Sequence, residues 1–145
     1  MTLYHLPNAR TDVQRDDMRR LEEAGICIFC EPTTNGDPHS VLHRTPGWSV
    51  RRNTFPYAGT SLHLLLVPVE HVTDMLDLSA DVRDDFWDAL AWVRQHHGLT
   101  YYGLGIRNGD VRYTGGTVEH VHVHVIVGDP DADRPVRLRL NSRPS

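Results

Sequence analysis

Val118-Glu119-His120-Val121-His122-Val123-His124-Val125 alternates apolar and polar side chains along its length. A period of two is the repeat of a β-strand, so Val121, Val123 and Val125 share one face and His120, His122 and His124 the other. The valines belong in a core. The histidine face must border a cleft, because three imidazoles among apolar groups would each need partners for two ring nitrogens. The same patterning runs from Val118 to Val127 and makes this the firmest strand in the sequence.

Upstream of that strand, Asn108 to Gly116 carries Gly, Asn and Asp at turn density, and Tyr101 to Arg107 reads as a strand. A long helix is expected from Ala80 to His97, capped by Ser79, stopped by Gly98 and buried along Val82, Phe86, Leu90 and Val93. Leu62 to Val69 is a buried strand with Pro68 at its end, and Trp48 and Val50 open another. Glu31 to Pro46 reads as loop and turn around Val41 and Leu42. Near the start, Thr11-Asp12-Val13-Gln14 is a capping box, and Gly25 ends the helix that it begins. Val13, Met18, Leu21 and Ala24 give that helix only a narrow apolar stripe, so residues 1–25 are an appended extension and 26–145 the folded domain. Downstream, Val136 to Leu140 alternates with Arg137 and Arg139 and reads as a last strand. Strands before and after one long helix, without regular β-α alternation, predict an α+β fold: an antiparallel sheet with flanking helices.

A chain of 145 residues with 39% hydrophobic content supports one ordinary core. The formal charge is −4, and all 15 basic residues are arginines. The arginine fork suits phosphate, while a mildly acidic total argues against coating a nucleic-acid polymer. The N-terminus has no apolar h-region, and no stretch is long enough to span a bilayer, so the expectation is a soluble cytoplasmic protein.

Three readings fit the histidine face: a wet strand face that happens to be histidine-rich, a metal-binding triad, and nucleophilic catalysis. An ordinary exposed face would offer Thr, Lys, Glu and Arg. Imidazoles two apart can share an ion. Imidazole is also a fit nucleophile, because much of it is neutral near pH 7. Cys27-Ile28-Phe29-Cys30 is a metal half-site or a redox pair. No helix-forming sequence follows it, as a thioredoxin-like site would need, so zinc is the favoured reading. By sequence proximity the other ligands would be His39 and His43, whose spacing suits a Cys2His2 site.

Gly115-Gly116-Thr117-Val118-Glu119-His120-Val121-His122-Val123-His124-Val125-Ile126 resembles the signature of the histidine triad (HIT) superfamily: His, apolar, His, apolar, His, two apolar. His63-Leu64-Leu65-Leu66-Val67-Pro68-Val69-Glu70-His71-Val72 is similar to the family's strand with an upstream histidine. Cys27 and Cys30 resemble the opening of its zinc-containing members. The resemblance implies a homodimer that hydrolyses or transfers purine nucleotides at the α-phosphate. It makes His122 the nucleophile of a nucleotidyl-histidine intermediate. His124 would contact the bridging or leaving atom, His63 would flank the same phosphate, and His120 would orient the nucleophile. It also nominates His71 and His120, with Cys27 and Cys30, as ligands of a structural zinc. That set is preferred, because a zinc on His120 would anchor the catalytic strand and leave His122 free. No cofactor is expected in the chemical step.

Gly115, Gly116 and Thr117 sit where backbone amides and a hydroxyl could meet a phosphate, with Asn108 as a further contact. The loop Pro56-Tyr57-Ala58-Gly59-Thr60-Ser61-Leu62-His63 is longer than in many members and lacks their Gly-His pair, so Asn53 and Phe55 are only candidates for the nucleoside pocket. Glu119 and Asp129 flank the triad while Arg107 and Arg112 lie beyond the glycine turn, which predicts an acidic rim. Such a rim would favour an amine leaving group, hence a nucleoside phosphoramidase, with a phosphoramidate antibiotic of the nucleotide-peptide type as one substrate it would accept. The alternatives are a dinucleoside polyphosphate hydrolase or phosphorylase and, from another class, a non-catalytic nucleotide-binding module. His124, in place of glutamine, argues against the uridylyl-transferase-like branch.

Overall fold

The computed structural model describes residues 2–30 and 40–140. Among these residues five antiparallel strands form one sheet: β1 (Val41–Arg44), β2 (Trp48–Arg52), β3 (Thr60–Pro68), β4 (Gly103–Ile106) and β5 (Val123–Gly128), in the order β1-β2-β3-β5-β4. Among the described residues three α-helices accompany them: α1 (Asp12–Glu23), α2 (Ala80–His96) and the single turn α3 (Val111–Thr114). This is the α+β antiparallel architecture that the sequence predicts.

Strand alternation divides the sheet into two unlike faces. Trp48 and Val50 of β2, Leu64 and Leu66 of β3, and Val123 and Val125 of β5 point to α2, where they meet Val82, Phe86, Ala89, Leu90 and Val93. Trp48 joins the layers by a second device, donating its indole N–H to the Val82 carbonyl at 2.6 Å. The opposite face carries Arg51, His63 and His124 and is covered by the N-terminal segment, where Tyr4, Met18, Leu21 and Val118 form a smaller cluster. Among the described residues, no helix is long and apolar enough to cross a membrane.

Four local expectations are corrected. The triad strand begins at Val123, not Val118. Its first half leaves the sheet because β3 stops at Pro68: Val121 donates instead to the Val72 carbonyl, and Val118 bridges to Tyr4. Val136 to Leu140 is no strand either. Leu138 lies across Gly105, where a Cβ would come within 2.6 Å of it, so this segment runs over the sheet face as a strap. Within the stretch expected to be loop, Val41–Arg44 forms β1 by pairing with β2, and residues 31–39 lie outside the described ones. On α1, the Thr11 hydroxyl accepts from the Gln14 amide as the capping box predicts, but Gln14 turns inward and Val13 outward.

The two kinds of position should separate in urea denaturation. Leu66→Ala, deep between sheet and α2, is expected to cost about 2–5 kcal/mol. Val13→Ala should change stability by less than about 0.5 kcal/mol. A large loss at Val13 would mean that the helix packs by its expected stripe after all.

Candidate active site and metal centre

Leu65 faces His124 across the β3–β5 ladder, so His63 is the diagonal neighbour of His124 on the same face. His63 Nε2 and His124 Nδ1 are 2.8 Å apart. The Tyr57 amide donates to His63 Nδ1 at 3.0 Å, which fixes the proton of a neutral His63 on Nε2 and makes His124 Nδ1 the acceptor. Asn53 Nδ2 is 3.1 and 3.4 Å from the two nitrogens of His63, a near-equidistance that places the amide over the ring face.

His122 stands beside this pair, its ring 5.0 Å from that of His124. Its Nδ1–H donates to the His120 carbonyl at 2.8 Å, which leaves the lone pair of Nε2 unused. A nitrogen nucleophile needs this tautomer. Burial, reinforced by the guanidinium groups of Arg107 and Arg51, lowers His122 to about 4 despite the opposing bond to the His120 carbonyl, so the imidazole is neutral at pH 7. Desolvation likewise lowers His63 to about 4 and depresses His124.

Around these rings opens a cleft of about 860 Å³, within the range of small-molecule sites. His122, His124, Asn53, Phe55, Gly115, Gly116 and Thr117 all line it. Gly115 takes φ +79° directly after α3, a left-handed turn that brings Thr117 back to the cleft. Asn8 holds this turn from the N-terminal segment, its Nδ2 donating to the Val111 and Gly116 carbonyls at 2.9 and 2.7 Å. Asn108 does not join the lining: its Oδ1 accepts from the Met75 amide on the surface. The expected acidic rim is also corrected. Among the described lining residues Asp17 is the one acid, beside Arg10, Arg51, Arg52, Arg107, Arg134, Arg137 and Arg139. Several of these lie far from the triad in sequence, and the fold brings them to it.

His120 faces away from the cleft. Its Nε2–H donates to the Pro68 carbonyl at 2.9 Å, which turns the lone pair of Nδ1 toward Cys27, Cys30 and His71. Thus its backbone carbonyl, not its imidazole, orients His122. A tetrahedral zinc with Zn–S of about 2.3 Å and Zn–N of about 2.05 Å sets S···N near 3.6 Å and N···N near 3.3 Å. His120 Nδ1 is 3.6 Å from Cys27 Sγ, 3.5 Å from Cys30 Sγ and 3.1 Å from His71 Nδ1, and Cys30 Sγ is 3.0 Å from His71 Nδ1. The four residues therefore form a cluster able to hold a zinc ion. Arg51 braces the cysteine turn, donating to the Ile28 and Phe29 carbonyls, both at 2.9 Å. His43 takes no part: its ring stacks on Trp92 at 4.3 Å. His39 lies outside the described residues.

Residues 35–131 match the HIT domain family. The chain belongs to that family. A HIT family hydrolase from Clostridium thermocellum is 25% identical, with a TM-score of 0.59 over 74% of this chain and 95% of its own. A HIT family hydrolase from Legionella pneumophila is 26% identical, with a TM-score of 0.54 over 75% and 98%. A histidine triad family protein from Mycobacterium smegmatis, described as Zn-bound, shares the fold at 19% identity, with a TM-score of 0.56 over 79% and 82%. No curated protein matches this HIT domain.

Sequence reading missed Arg107, Tyr57, Asn8 and the strap as parts of the site. Arg107 touches His124 Nε2, the Tyr57 hydroxyl and the Arg139 carbonyl, three contacts to separate stretches of chain that no local spacing announces.

Two measurements check this geometry. Metal analysis should give about one zinc per chain. Cys27→Ser with Cys30→Ser should lose the metal and thermal stability, whereas His43→Ala should keep both; loss of zinc from His43→Ala would reject the ligand set. The second concerns pH. Because folded His63 titrates near 4 rather than its ordinary 6.5, only the unfolded chain binds its proton between those values. The stability it contributes is complete above about pH 6.5 and is lost as pH falls toward 4. Tm should therefore drop on acidification through that window, and His63→Gln should shallow the slope; an unchanged slope would remove His63 from the effect.

Proposed function

We propose that this HIT domain is a nucleotide hydrolase in which His122 Nε2 attacks the α-phosphorus. The observation that carries the reading is the bond from His122 Nδ1–H to the His120 carbonyl, since it leaves Nε2 unprotonated and aimed into the cleft. As the Nε2–P bond forms, the bond to the leaving group breaks and its electron pair departs with that group. Water then adds its oxygen to phosphorus, the P–N pair returns to Nε2, and the proton passes to solvent. His63 and His124 act beside the leaving atom, and Gly115, Gly116 and Thr117 stand near the phosphate. Phe55 and Asn53 are candidates to meet a purine nucleoside. Zinc on Cys27, Cys30, His71 and His120 supplies structure alone, because four protein ligands leave it no position for substrate. A homodimer fits β4, which ends the sheet with Leu104 exposed.

The arginine-rich lining favours a leaving group that carries negative charge, such as the remainder of a dinucleoside polyphosphate. The phosphoramidate reading has a specific support of its own: His63 and His124 form a hydrogen-bonded pair able to relay a proton to an amine, including that of a nucleotide-peptide antibiotic.

His122→Ala should reduce turnover to below about a hundredth while nucleotide binding and folding persist. Greater residual activity would point to another nucleophile, and absence of turnover in the parent protein to a binding module. With the parent, kcat/KM should be higher for diadenosine tetraphosphate than for adenosine 5′-phosphoramidate; the reverse order would restore the amine as leaving group.

A further inference from the structure

The tautomers of the histidine pair have a consequence at the far end of His124. With His63 protonated on Nε2 and His124 Nδ1 accepting from it, a neutral His124 carries its own proton on Nε2. Arg107 Nη1 lies 3.1 Å from that same Nε2. Nη1 has only protons to offer, so two donors converge on one point with no acceptor between them. An oxygen bearing negative charge would satisfy both.

Arg107 is held there firmly. Its Nε and Nη2 donate to the Arg139 carbonyl at 2.9 and 2.7 Å, and Nη2 also reaches the Tyr57 hydroxyl at 3.0 Å. Of the five guanidinium N–H groups, these contacts engage those on Nε and Nη2, leaving Nη1 to meet His124. The strap makes this anchoring possible, because Leu138 crosses Gly105, the residue opposite His124 on β4, and so brings the Arg139 carbonyl over the cleft.

We propose that Arg107 is a catalytic residue which, with the His124 Nε2–H, binds the oxygen leaving the α-phosphorus and so selects oxygen over nitrogen leaving groups. This rests on the nucleotide-hydrolase reading. As the P–O bond breaks, its electron pair stays on the oxygen, and two fixed donors stabilise that anion without giving up a proton. A guanidinium keeps its proton at any working pH, whereas an amine must receive one in order to leave. Arg107 therefore assists the first departure and cannot assist the second.

The test uses two substrates that differ only in the leaving atom: the 4-nitrophenyl ester of adenosine 5′-phosphate and the corresponding 4-nitroanilide. Arg107→Met should lower kcat/KM for the ester by about 10²–10³-fold. The anilide should fall by less than about threefold, at unchanged zinc content. If the methionine variant does not fold, Arg107→Lys, which keeps a charge without the fork, should still lower the ester at least about tenfold more than the anilide. Equal losses on both substrates would overturn the role of Arg107 while leaving the hydrolase reading intact. A parent protein that cleaves neither substrate would bring down both.

Discussion

His120 makes two bonds that most of the site depends on. One nitrogen donates to the Pro68 carbonyl at the end of β3, and this fixes which nitrogen faces the cysteines. The ring thereby joins three stretches of chain distant in sequence: the cysteine turn, the end of β3 with His71, and the approach to β5. The peptide of the same residue presents its carbonyl to His122. A single fully buried residue thus couples the candidate metal site to the protonation of the cleft's central imidazole through covalent geometry, with no side-chain relay between them.

The two faces of the sheet divide the energetic work. On the α2 side, aliphatic and aromatic groups are withdrawn from water with little polar content, which is where most of the stabilisation must come from. The other face buries Arg51, His63 and His124 and leaves His122 half-buried. Its histidines stay neutral there because desolvation and neighbouring positive charge act in the same direction.

Strand alternation made the sheet and its histidines legible, and helix caps located α1 and α2 to within a residue or two. What alternation could not show was that His120 would leave the pattern: the decision lies with Pro68, some fifty positions earlier, which ends the partner strand. The strap failed for a related reason, since Val136 to Leu140 alternates like a strand but finds Gly105 beneath it rather than an edge beside it. The metal ligands illustrate the limit most clearly. Proximity alone nominates His39 and His43, and it took the family resemblance to prefer His71 and His120, which the fold gathers around the cysteines. The arginine lining was invisible for the same cause, being assembled from the N-terminal segment, β2, the turn after β4 and the strap.

The bond that sets His122 ends on a peptide carbonyl, and peptide carbonyls are present whatever residue is encoded. No single codon change at the acceptor position deletes that oxygen, although one could misplace it. The side of the cleft proposed for departure is different, since Arg107 and Tyr57 meet there through side chains and each can be exchanged independently. On the proposed mechanism, the acceptor that orients the attacking imidazole is therefore buffered against substitution at its own position, while the releasing end is open to it. New substrates should arise in a lineage of such proteins by rewriting the second while inheriting the first.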